Sequence, residues 1–282
     1  MRVSVGDLEL FVEAVGEGPP SVIGLHGGPG LDGSKLRYQL APLADVAQVV
    51  VPDQRGHGRS DRGGPETWNL DAWAADVKSL ANALEIARPV VLGVSFGGFV
   101  VQRYAAMHPE HPAALILVST SPRFARREET AERLRLVGGE EAVEVFNRAW
   151  DAPDEEAEAD WKRVIGPLMS RRKDPEIDRL RAERIETIEV DRHFLPEGKA
   201  MDLRAGLAAV RCPTLVVVGE LDPLVPAHLA GEMVEAIPNG LARLEVISDA
   251  SHDVFADNGP QSYRVIREFL QRSATPTKED RR

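Results

Sequence analysis

Serine is unreactive at neutral pH unless a base stands within hydrogen-bond reach, so the informative serine is one that folding holds up to a partner. Ser95 lies in Gly93-Val94-Ser95-Phe96-Gly97. The β-branched run before it, Val90 to Val94, reads as a buried strand. Phe99 to Met107, with Val100, Val101, Tyr104 and Ala105 at helical spacing, reads as a helix. A strand that turns at once into a helix forces its central serine into a strained backbone conformation and leaves no room for a Cβ at the flanking glycines. The hydroxyl then stands clear at the carboxyl end of the sheet. Helix N-terminal amides lie beside it and favour developing negative charge. In a chain with 24 glycines, however, such a turn by itself also fits any Gly-rich connection in a parallel sheet.

Two further residues change that balance. Asp222 follows the apolar run Thr214 to Val218, and His252 follows the next one, Leu241 to Ile247. Each falls just past the end of an expected strand. In an open parallel sheet the carboxyl ends of the strands share one edge, where ligands bind, so Ser95, Asp222 and His252 are expected to converge there. Imidazole, with an ordinary pKa of about 6.5, suits the base that serine requires. A carboxylate in turn fixes the tautomer of the imidazole and stabilises its charged form. The chain order Ser, Asp, His is the one expected of a serine elbow on such a sheet.

The elements that must position these groups follow one another in a regular rhythm. Leu8 to Val15 alternates as an early antiparallel strand, and Val22 to Leu25 and Val49 to Val51 are short buried strands. The loop after the second is His26-Gly27-Gly28-Pro29-Gly30, whose backbone amides are available to bind something. The loop after the third, Asp53 to Asp61, is dense in charge and glycine, and Asp53, Arg55 and His57 read as parts of a hydrogen-bonded structural turn. Asn69 is a helix N-cap, with Trp73, Val77, Leu80 and Leu84 forming the stripe that packs on the sheet. Ala114 to Val118 is the next strand. Single helices between strands imply right-handed crossovers and a mostly parallel sheet.

From about Ser121 the alternation stops. Residues 122–205 are charge-rich and favour helix, so they read as a helical cap inserted over the carboxyl edge. Its apolar residues (Leu134, Leu136, Val143, Phe146, Trp150, Trp161, Ile165, Leu168 and Met169) are expected to face the site. The core accordingly divides into 1–121 and 206–272, and a charged tail, 273–282, is expected to be disordered.

A formal net charge of −11 argues against electrostatic capture of nucleic acid or an anionic membrane. The N-terminus shows no apolar leader and no stretch approaches a membrane span, so a soluble cytoplasmic protein is expected. One cysteine, Cys212, excludes an intrachain disulfide and a Cys-rich metal site; no metal or cofactor is called for. The implied partner is a small-molecule or short-peptide substrate.

From residue 8 to 271 the chain resembles the α/β-hydrolase superfamily, and within it the proline iminopeptidase-like serine hydrolases of peptidase family S33. The resemblance rests on His26-Gly27-Gly28-Pro29-Gly30, Asp53-Gln54-Arg55-Gly56-His57-Gly58-Arg59-Ser60, the Ser95 elbow, Gly219-Glu220-Leu221-Asp222 and Ser251-His252. It implies an α/β-hydrolase fold, a mostly parallel sheet flanked by helices with a helical cap. It also implies Ser95 as nucleophile, His252 as general base and acid, Asp222 as the orienting acid, and the N–H groups of Gly28 and Phe96 as oxyanion hole. A serine at the elbow excludes the dehalogenases and epoxide hydrolases, which carry aspartate there. Two positions depart from the aminopeptidases: Pro223 stands where an acidic residue commonly anchors the substrate amine, and Phe96 replaces a tryptophan. Glu183, Glu186, Glu189 and Asp191 are candidates to supply the missing carboxylate, or are helix-surface charges. The expected activity is hydrolysis of a small ester or amide through an acyl-enzyme, with an N-terminal prolyl peptide as one candidate substrate. The alternatives are a lyase or cofactor-free haloperoxidase on the same fold, or a ligand-binding protein with an inactive site.

Overall fold

The computed structural model describes residues 1–273. Eight strands form one sheet in the order β1-β2-β4-β3-β5-β6-β7-β8. They are β1 (Arg2–Val5), β2 (Leu8–Val15), β3 (Ser21–Leu25), β4 (Gln48–Pro52), β5 (Val90–Val94), β6 (Ala114–Val118), β7 (Thr214–Gly219) and β8 (Ala242–Ile247). β2 runs antiparallel to β1 and β4, and every pair from β4 to β8 is parallel. β1 is an addition to the expected strands. Its Arg-Val-Ser-Val alternation and the Gly6-Asp7 turn, with Gly6 at φ +70°, are the hairpin signal that could have revealed it.

The central strands β5, β6 and β7 are buried on both faces, as parallel crossovers require. On one face pack α2 (Leu70–Ala83) and α3 (Phe96–Met107), with Trp73, Tyr104 and Leu80 almost fully buried. The N-cap of α2 is Asn69, whose side chain accepts the N–H of Ala72. On the other face lie α1 (Ser34–Leu40) and the C-terminal helix (Gly259–Ser273), joined through Leu36, Leu40, Ile266 and Phe269. Ser273, placed in the tail by the sequence, closes that helix with its hydroxyl on the Phe269 carbonyl; the remainder of the expected tail lies outside the described residues.

Between β6 and β7 the chain is helical: α4 (Arg127–Asp151), α5 (Glu155–Asp160), α6 (Pro175–Glu183), α7 (Ile188–Ala200) and α8 (Arg204–Leu207), with no strand among the described residues. α4 bends at Gly139, where φ is +78°. The apolar residues of this segment do not all face the site. Leu134, Val143 and Ile165 are enclosed in a small core of the segment's own, and Leu136 is exposed. A helical layer this long buries part of its apolar surface within itself, and only the residue left over lines the cavity below.

Candidate active site

Ser95 occupies the turn between β5 and α3 with φ 53° and ψ −118°, a conformation unfavourable for any residue with a side chain. Close packing holds it there. A Cβ on Gly93 would stand 2.4 Å from the Gly97 carbonyl oxygen, and one on Gly97 would stand 2.2 Å from the Leu25 carbonyl oxygen. The Ser95 N–H donates to the Val118 carbonyl at 2.9 Å, tying the turn to the neighbouring strand. Phe96 is the first residue of α3, so its N–H has no partner within the helix.

Asp222 follows β7 and is fully buried. One of its oxygens, Oδ1, accepts the N–H groups of Leu224 and Val225, both at 2.9 Å. The other, Oδ2, stands 2.8 Å from Nδ1 of His252. A carboxylate only accepts, so Nδ1 carries the proton and Nε2 is left as an acceptor. The loop that carries His252 is held by the hydroxyl of Ser119, which donates to the His252 carbonyl at 2.7 Å.

Ser95 and His252 line one cavity of about 1260 Å³, together with Gly28 and Phe96. No direct hydrogen bond joins Ser95 Oγ to His252. The glycine loop lies against the elbow: a Cβ on Gly27 would stand 3.4 Å from Ser95 Cβ and 4.0 Å from its Oγ. Gly28 is at φ +128°, which glycine tolerates and other residues rarely adopt. Ser95, His252, Gly28 and Phe96 thus line one cavity, and Asp222 reaches it through its hydrogen bond to His252.

Residues 20–259 match the alpha/beta hydrolase fold family. The chain belongs to that family. It is 28% identical over 280 residues to the proline iminopeptidase PfmaB of Pestalotiopsis fici, covering 96% of this chain and 99% of that one. It is 30% identical over 277 residues to a pimeloyl-[acyl-carrier protein] methyl ester esterase of Methylococcus capsulatus, covering 94% and 99%. The crystal structure of a proline iminopeptidase from Mycobacterium smegmatis superposes with a TM-score of 0.79 at 22% identity, covering 97% and 98%, a likeness of fold. Together these support an enzyme of the α/β-hydrolase class.

The charged loop of this hydrolase after β4 is a structural turn, as its residues suggested. Burial opposes the charge of Asp53, but the Arg37 guanidinium and the N–H groups of Arg59 and Gly33 hold its pKa below the ordinary carboxylate value. Arg55 makes a buried bidentate pair with Asp76 at 2.7 and 2.8 Å. His57 is enclosed by His26, Trp73 and Phe96, and burial, reinforced by His26, pushes its pKa down to about 3.

The four candidate amine anchors separate. Glu183 pairs with Arg179 on the surface, and Glu186 pairs with Arg184 and Lys162. Glu189 does not line the cavity, whereas Asp191 does, and among the described residues it makes no ion pair within 4 Å. Burial, with Glu158 nearby, pushes the Asp191 pKa up to about 6. Among the described residues no group of three His, Cys, Asp or Glu could hold a metal ion, and no helix is long and apolar enough to cross a membrane.

Proposed function

We propose that the protein is a serine hydrolase that cleaves an ester or amide through an acyl-enzyme. The supporting observation is the Asp222–His252 hydrogen bond on the wall of the cavity that also exposes Ser95. In this reading His252 Nε2 takes the proton of Ser95 Oγ as the hydroxyl attacks the substrate carbonyl. The oxyanion that forms is held by the N–H groups of Phe96 and Gly28, each such donor contributing about 3 kcal/mol to the transition state. Nε2 then returns the proton to the leaving group, a carbon–oxygen or carbon–nitrogen bond breaks, and the acyl group remains on Ser95 Oγ. Water deprotonated by the same nitrogen releases the acid and regenerates the hydroxyl. Residues 122–205 serve as the cap of the site, and a cavity of this volume takes a substrate larger than a simple acetate.

Ser95→Ala is expected to lower kcat on p-nitrophenyl acetate by about a million-fold. Full retention of turnover in a folded variant overturns the reading. A prolyl aminopeptidase is the second reading, and Asp191 favours it, since an unpaired carboxylate in the cavity wall suits a substrate ammonium. Cleavage of prolyl-naphthylamide that Asp191→Asn abolishes supports it; brisk ester cleavage with no prolyl turnover rejects it.

A further inference from the structure

Asp257 is a fully buried carboxylate in the short helix Val254–Asp257, outside the set of groups that face Ser95. Burying a carboxylate without compensation is costly, so the donors around it are informative. Among the described residues no basic side chain pairs with it. Its Oδ1 accepts the Ser170 hydroxyl at 2.8 Å, the Arg171 N–H at 2.7 Å and the Arg172 N–H at 3.1 Å. Its Oδ2 accepts the N–H of Ser251, the residue before His252, at 2.7 Å. The carboxylate thus joins two segments that are about 80 residues apart in the chain. One carries His252. The other, Met169 to Arg172, forms part of the cavity wall. Two more bonds run along the same seam: the Ser251 hydroxyl donates to the Leu168 carbonyl at 2.5 Å, and the Asp253 N–H donates to the Met169 carbonyl at 2.9 Å.

We infer that Asp257 is a positioning residue for His252, locking the imidazole-bearing loop in register with the cavity wall at residues 169–172. The inference rests on His252 being the base. Only a carboxylate can serve both sides of this junction. Its two oxygens face donors alone, so an amide there turns an NH₂ group against an N–H group. The loop then shifts, and a displacement of even 1 Å at a proton-transferring group is sufficient to cost about 100-fold in rate.

The test compares Asp257→Asn with Asp249→Asn in the full chain, counting active sites with a fluorophosphonate probe. Asp249 makes an exposed ion pair to the same segment through Arg171, and asparagine tolerates its left-handed φ of 53°. The expected result is a fall of about 10- to 100-fold in kcat per titrated site for Asp257→Asn, with KM within about twofold and Asp249→Asn unchanged. A merely structural role lowers the number of titratable sites and leaves kcat per site intact, and that outcome overturns the inference. If Asp257→Asn does not fold, the Ser170→Ala, Ser251→Ala double variant removes both side-chain hydroxyls from the seam. Its kcat per site is expected to fall about tenfold, and an unchanged value is equally decisive against the role. His252→Ala is run alongside. Full turnover in that variant refutes the base itself, whereas its loss with Asp257→Asn intact refutes only the positioning.

Discussion

At the scale of single residues, the carboxylates around the site divide by what their oxygens touch. Asp222 has one oxygen saturated by backbone N–H groups, and that leaves the other for the imidazole. Asp222→Asn keeps the shape but offers an NH₂ group to Nδ1, which favours the wrong tautomer. A loss of about 10⁴-fold in kcat on p-nitrophenyl acetate is expected. Asp191 is the opposite case, a half-buried carboxylate with no ion pair. Its folded pKa, about 6, lies above the ordinary value of 3.8, so the fold holds its proton more tightly than the unfolded chain does. The stabilisation this gives is complete at low pH and is lost as pH rises through about 6. Asp191→Asn is therefore expected to raise stability at pH 8 by about 1–3 kcal/mol, with little change at pH 4, measured by urea unfolding.

The elements matter because they leave the elbow no slack. β5 and α3 meet with Gly93 and Gly97 in backbone contact, and the atoms a Cβ would strike are the carbonyl oxygens of Gly97 and Leu25, which cannot rotate away as a side chain could. Gly97→Ala is expected to cost about 3 kcal/mol of stability and most of the turnover, because relief of the clash moves Ser95. The α4 helix acts on the site from the other side. Arg133 donates to the carbonyls of Asp222 and Glu220 at 2.9 and 2.5 Å, so the segment between β6 and β7 braces the loop that carries Asp222 directly. Phe96 likewise packs edge-on against Phe194 of α7 and Trp73 of α2. A phenylalanine after the serine is thus a packing choice that joins sheet, α2 and α7.

For the molecule as a whole, the buried histidines contribute to the response to acid. His57 has a folded pKa of about 3 against an ordinary 6.5, and that of His26 is shifted down as well, both chiefly by burial. A depressed value means that the unfolded chain binds the proton first. Stability is then complete above about pH 6.5 and is lost as pH falls toward 3. His57→Phe removes this contribution. Between pH 6.5 and pH 5 the variant is expected to lose about 2 kcal/mol less stability than the parent chain in urea titrations. Equal losses in the two proteins are the result that contradicts it.

Much of this is legible in the amino-acid sequence. The β-branched runs, the helical stripe of Trp73, Val77 and Leu80 and the Gly-x-Ser-x-Gly turn are local patterns, and local sterics and amphipathicity are written in neighbouring residues. The order of Ser95, Asp222 and His252 could be projected onto one edge because parallel strands with single crossovers leave little topological choice. What only the tertiary structure decided are the contacts with no sequence period. Asp257 reads along the chain as one more acidic residue, yet it is fully buried and joins residues 170–172 to residue 251. Asp191 and Glu189, two positions apart, look alike in sequence, and the packing of α7 brings just one of them to the cavity. Leu134 and Phe146 have the same apolar character, but the first closes the segment's own core and the second also reaches the cavity. Patterning determines which side chains leave water; which neighbour each one meets depends on how distant segments pack, and that is settled only when the whole chain has folded.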